Sequence, residues 1–219
     1  MKYLIIIFVA IVLAGCGKPK TPDISIYEAI ARNDIKTINQ HLASGTGINN
    51  TNIEKKFSDP NNGFLAGATP LLFALDQGNY KIIELLISEG ADVNAKTDTG
   101  FTALMCSSVI ADYQAVEVLI KSGASINTKG KYGFTALHCS VATPQDKLKK
   151  TLLKYNRKYP ASHHRKVIEF LISNNANVNA QADNGMTPLD IAVSENPQVA
   201  GILIKHGAKK SKELKTKGE

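Results

Sequence analysis

The sequence predicts an all-α solenoid of about five helix-turn-helix repeats with capping terminal repeats, and three observations carry that expectation. Thr69, Thr102 and Thr135 open equivalent segments, GATPLLFALDQGNY, GFTALMCSSVIADY and GFTALHCSV, at a spacing of 33 residues. A fixed period of this size marks stacked supersecondary units. The stretches that follow, KIIELLISEG and QAVEVLIKSG, place apolar residues at helical spacing and stop at a glycine, as amphipathic helices do. No such pair can bury its own faces, so neighbours must supply the core. The absence of tryptophan, with seven tyrosines and seven phenylalanines, fits many small interfaces better than one large core.

The chain begins with a processing segment. Behind Lys2, the ten residues Leu4 to Leu13 are apolar. A helix needs about 20 such residues to cross a bilayer, and the run has the size of a signal-peptide core. It ends Leu13-Ala14-Gly15-Cys16, which resembles the lipobox of bacterial lipoproteins. The resemblance implies cleavage before Cys16, with a diacylglycerol on its thiol and an acyl chain on its new amino group. These chains would anchor the protein firmly. In that family Gly17, rather than an aspartate, implies the periplasmic face of the outer membrane. The alternative is an ordinary signal peptide with an incidental cysteine. The expected map is a signal peptide at 1–15, a tether at 16–24 (GKPKTPDI after the cysteine), repeats at 25–208 and a basic tail at 209–219.

The repeats follow in order. Copy one, Ser25 to Asn49, keeps two amphipathic helices and a glycine turn, and an insertion at about 50–65 separates it from copy two, Gly67 to Ala95. Copy three runs from Asp98 to Asn127. Copy four is split, Gly133 to Val141 resuming at Arg165 to Ala180 around an insertion at about 143–163. Copy five is Asn184 to Ala208. Each threonine is placed to cap a first helix, with proline tolerated behind it. Leu71, Leu104, Leu137 and Leu189 then point inward. Gly90, Gly123 and Gly207 end second helices where positive φ is wanted, and Asn175 stands at that place in copy four.

Period, Thr-Pro-Leu and Thr-Ala-Leu openings and glycine stops together resemble ankyrin repeats over roughly Ile24 to Ala208. In that family the turn tips and first helices line a concave protein-binding surface. The resemblance places Lys96, Asp98, Thr99 and Phe101 there in the third copy, and Lys129, Lys131, Tyr132 and Phe134 in the fourth. Val109, Ile110 and Tyr113 would extend the surface along the third helix pair. Large aromatic residues at tips fit hot-spot chemistry. Phe101 and Phe134 are equally open to packing between repeats. His138 fills the family's motif histidine, which implies a hydrogen bond to the neighbouring turn.

Cys106 and Cys139 occupy one position in adjacent copies. Stacked helices lie about 8–10 Å apart and a disulfide needs Cα atoms within about 7 Å, so two free, buried thiols are expected. His163 and His164 are expected in a solvated loop. No nucleophile elbow, phosphate loop or zinc motif stands in the sequence. We therefore expect no enzyme, no metal and no cofactor other than the covalent lipid. A net charge of +7 is too small to argue for nucleic acid by itself, and export argues against that partner; with no catalytic motif, no small-molecule substrate is expected.

The second insertion is strongly basic, with Lys147, Lys149, Lys150, Lys154, Arg157, Lys158, Arg165 and Lys166 against Asp146 between Ala142 and Lys166. Leu148, Leu152, Tyr155 and Tyr159 follow helical spacing. Lys149, Lys150 and Lys154 are candidates for steering an acidic protein or docking on anionic lipid; the segment could equally be a solvated extension. Compact lipid-anchored ankyrin proteins resemble immunity proteins that neutralise secreted antibacterial effectors, including phospholipases of type VI secretion. The resemblance thus implies a specific protein as partner, such a lipase among them. An envelope scaffold is the alternative, and a hydrolase using His163 or His164 is a third reading.

Overall fold

The computed structural model describes residues 21–45, 47–51, 67–142 and 161–215. Its helices are α1 (Ile26–Ala31), α2 (Ile35–Ala43), α3 (Pro70–Gln77), α4 (Tyr80–Ser88), α5 (Ala103–Val109), α6 (Tyr113–Lys121), α7 (Ala136–Val141), α8 (Ala161–Ser173), α9 (Pro188–Glu195), α10 (Pro197–Lys205) and α11 (Ser211–Lys215). Cys16, the 52–66 part of the first insertion and Lys149, Lys150 and Lys154 lie outside the described residues.

First helices are short because polar side chains start them and a tight turn stops them. Thr69, Thr102 and Thr187 accept from the amides of Leu72, Met105 and Asp190 at 3.4, 3.3 and 3.3 Å. Each such cap satisfies one orphan donor of the first turn. Asp34, Asn79 and Asp112 do the same for the second helices α2, α4 and α6. Gly90, Gly123, Gly207 and Asn175 take φ of 92, 90, 80 and 67°, so the chain leaves each second helix through the left-handed turn expected for it.

Pairs then stack in two layers. The first helices α1, α3, α5, α7 and α9 contact one another in sequence, and α8 lies between α6 and α10 in the layer of second helices. Leu71, Leu104, Leu137 and Leu189 are at most 3% exposed and form the seam with Ile83, Val116, Leu119, Ile168 and Leu203. Burying such a side chain contributes roughly 1.5–3 kcal/mol.

The first copy is fastened to the second despite the insertion between them. The Tyr27 hydroxyl is bound to Ala68 O at 2.8 Å and to Asn50 O, the two backbones flanking the insertion. Its ring meets Phe73 edge-on at 5.6 Å. At the other end α11 closes the stack, since Asp190 Oδ2 accepts from Ser211 N at 3.0 Å and Thr187 Oγ1 donates to Lys209 O at 2.8 Å.

Three expectations are corrected. Val109 is a core residue, 9% exposed, because the last turn of α5 faces the stack rather than solvent. Cys106 is half-buried while Cys139 is buried, both as free thiols. His163 and His164 lie inside α8 and are half-buried, not in a solvated loop; His164 Nδ1 sits 2.9 Å from Ser140 O.

Candidate functional site

Three turn tips share one hydrogen-bond frame. Gly100, Gly133 and Gly185 donate to Thr97 O, Gly130 O and Ala182 O at 2.8, 3.1 and 2.8 Å. Thr97, Gly130 and Ala182 in turn donate to Phe101 O, Phe134 O and Met186 O at 2.9, 2.8 and 2.9 Å. The frame holds the tips as a rigid row along one edge of the helix layers.

Behind the row runs a ladder of asparagines that sequence reading had not singled out. Asn94 Oδ1 accepts from Ser125 N at 2.8 Å while its Nδ2 donates to Gly123 O at 3.2 Å. Asn127 repeats this with Asn177 N and Asn175 O, at 2.7 and 2.9 Å, and Asn179 with Lys209 N and Gly207 O, at 2.7 and 3.1 Å. Asn49 accepts from Asp92 N at 2.8 Å. The signal was available, since Asn94 and Asn127 stand one period apart.

Two tip lysines serve the same stacking. Lys96 Nζ donates to Lys129 O at 3.1 Å and Lys129 Nζ to Gln181 O at 2.8 Å, although both side chains are exposed. Thr99 Oγ1 lies 2.9 Å from Thr97 Oγ1. Phe101 is half-buried against the core, and Phe134 stacks on His138 at 5.3 Å with 3° between the ring planes. Both rings are half-buried against the core, and the stacking partner of Phe134 belongs to its own repeat.

His138 carries the hydrogen bond expected of it. Thr135 N can only donate, and it meets Nδ1 at 3.2 Å. Nε2 therefore holds the proton and donates to Met186 O in the next repeat at 3.2 Å. Burial lowers this imidazole to about 4, since a desolvated site disfavours the cation.

A family model described as "Ankyrin repeats (3 copies)" matches residues 26–130, and one described as "Ankyrin repeats (many copies)" matches residues 158–202. The fold is an ankyrin-repeat solenoid. No curated protein matches the chain. Between the two ankyrin matches lie the Lys131–Gly133 tip, α7 and the 143–157 part of the second insertion. Ankyrin repeats are protein-interaction modules, and contact falls to the tip side chains that remain directed outward.

Lys131 and Tyr132 are that pair. Tyr132 is 64% exposed, and the Lys131 ammonium lies 5.0 Å from its ring centroid, within cation–π range. Asp98 is exposed as well, but its carboxylate rests on the preceding tip: a β-carbon on Gly67 would lie 2.0 Å from Asp98 Oδ1. Ile110 and Tyr113 are not part of this row. They lie at the opposite end of α5 from Thr102, about 10 Å away at 1.5 Å per residue. Tyr113 pairs edge-on with Phe170 at 5.4 Å over a shallow groove with Lys166, Glu169 and Ser173 on the second-helix layer. The candidates thus divide into two surfaces. Position along the helix separates the two surfaces, but the period does not say which side chains at either end stay exposed.

Proposed function

We propose that this chain is a lipid-anchored, protein-binding module of the bacterial periplasm that holds and neutralises one specific protein. The occupant that fits the reading best is a secreted antibacterial effector such as a phospholipase of type VI secretion, with the chain as its immunity protein. The observation that carries the binding reading is the tip row. Its polar side chains are largely spent on neighbouring repeats, which makes the row rigid, and the Lys131–Tyr132 pair is left facing solvent. A rigid platform with an exposed aromatic anchor binds at a reduced ordering cost. The lipobox-like Leu13-Ala14-Gly15-Cys16 supports the envelope address, where an effector that attacks lipid would meet its inhibitor.

The test is co-purification of the full chain from detergent-solubilised envelopes, with Cys16→Ser as the comparison. We expect one stoichiometric partner carrying an enzymatic activity that the chain suppresses, and killing of a deletion strain by its siblings. The Cys16→Ser protein should leave the membrane fraction. A partner without activity, and a shape defect without contact-dependent killing, would make the chain a scaffold instead.

A further inference from the structure

Resting on the protein-binding reading above, we propose that Tyr132 is a single projecting anchor that enters an apolar cleft of the partner, with Lys131 meeting a carboxylate at the cleft's rim. At the third turn position Tyr132 has φ 62° and ψ 20°. Its counterparts Thr99 and Asn184, in turns closed by the same hydrogen bonds, are not among the residues with positive φ. A bulky residue in the left-handed region is a genuine outlier, and glycine or asparagine is the ordinary occupant.

The unusual backbone has a structural reason. Turning Tyr132 left-handed presents its carbonyl to the fifth repeat, where it accepts from Asp183 N at 2.9 Å. That bond requires the conformation and not the side chain. Glycine or asparagine would make it with less strain, so the stacking of repeats leaves the tyrosine ring unexplained. Outliers of this kind are kept where the strained residue does something else. The ring gives little to the fold, being 64% exposed.

Charge points the same way. Asp98 and Asp183 occupy the second turn position in the neighbouring tips, each carboxylate packed on the glycine of the tip before it; a β-carbon on Gly133 would lie 2.4 Å from Asp183 Oδ1. Lys131 stands at that position in the fourth tip, reversing the sign. Among the described residues its ammonium makes no ion pair and lies over the Tyr132 ring. The row therefore has one ring standing above short neighbours, Thr99 and Asn184, with a cation at its base. A lone convex anchor of this shape fits a concave socket and not a flat surface, and its cation selects an acidic rim. Tyrosine is among the residues that dominate such contacts.

Photo-crosslinking in cells tests the proposal with the full, anchored chain. Benzoylphenylalanine is placed in turn at positions 99, 113, 132 and 184. We expect strong labelling from 132, weak labelling from 99 and 184, and a labelled partner peptide that carries Asp or Glu beside apolar residues. Tyr132→Phe should keep affinity within a few-fold, while Tyr132→Asn should weaken it about thirtyfold or more, as loss of a hot spot does. Tyr132→Asn should also raise Tm, because asparagine tolerates the left-handed turn. Labelling from 113 alone would leave the binding reading standing and overturn this one. Unchanged affinity in Tyr132→Asn, or a fall in its Tm, would also overturn it. No protein adduct at any position would remove both.

Discussion

The carboxamide of Asn127 clasps the loop that closes the fourth repeat, donating from Nδ2 to Asn175 O at 2.9 Å and accepting at Oδ1 from Asn177 N at 2.7 Å. The two contacts span the second insertion in sequence, so this side chain, together with Lys129 Nζ on Gln181 O, ties the split repeat to the third.

Asn127→Ala removes both bonds. At roughly 0.5–1.5 kcal/mol each, it should lower stability by about 1–3 kcal/mol in urea denaturation. Asn127→Asp keeps the acceptor and should lose less. Because solenoid repeats couple to nearest neighbours, hydrogen exchange should accelerate most in α8 to α10.

His138 makes stability depend on pH. Its folded value is depressed to about 4 from 6.5, so the unfolded chain takes up the proton first. The contribution is complete above about pH 6.5, declines as pH falls from 6.5 to 4, and is constant below. A shift of this size corresponds to about 3 kcal/mol. His138→Gln should flatten the denaturation midpoint across that window. Asp190 is held below the usual carboxylate range by hydrogen bonds from Thr187 and Ser211 that outweigh its desolvation. Its contribution is fully present above the ordinary aspartate value and is lost only as pH falls below that value.

The two thiols should be slow nucleophiles. Burial pushes Cys139 up to about 12 and raises Cys106 as well, and thiolate is the reactive form. Iodoacetamide at pH 8 should label neither quickly in the folded protein and both quickly in denaturant. Rapid native labelling of Cys139 would show that α7 opens.

Leu119→Ala should be among the costliest core changes. The side chain is 0% exposed in the seam between helix layers, and truncation of such a leucine costs about 2–5 kcal/mol. Tyr113→Ala, over the open groove, should cost much less in the same urea titration.

The sequence by itself determined the repeating unit. Thr69, Thr102 and Thr187 cap helices because a hydroxyl beside an apolar run satisfies free amides in any context. Gly90, Gly123, Gly207 and Asn175 end helices because only such residues accept positive φ cheaply. These are local facts, legible within one repeat. What each side chain meets in the next repeat is not local, and only the tertiary structure decided it. Lys96 and Lys129 find carbonyls one repeat on, His138 finds that of Met186, and Val109 turns into the core, whereas Lys131 and Tyr132 stay outside. Stacking sets those outcomes, because the partner atoms lie some 30 to 50 positions further along the chain and reach the side chain only when one helix pair lies against another.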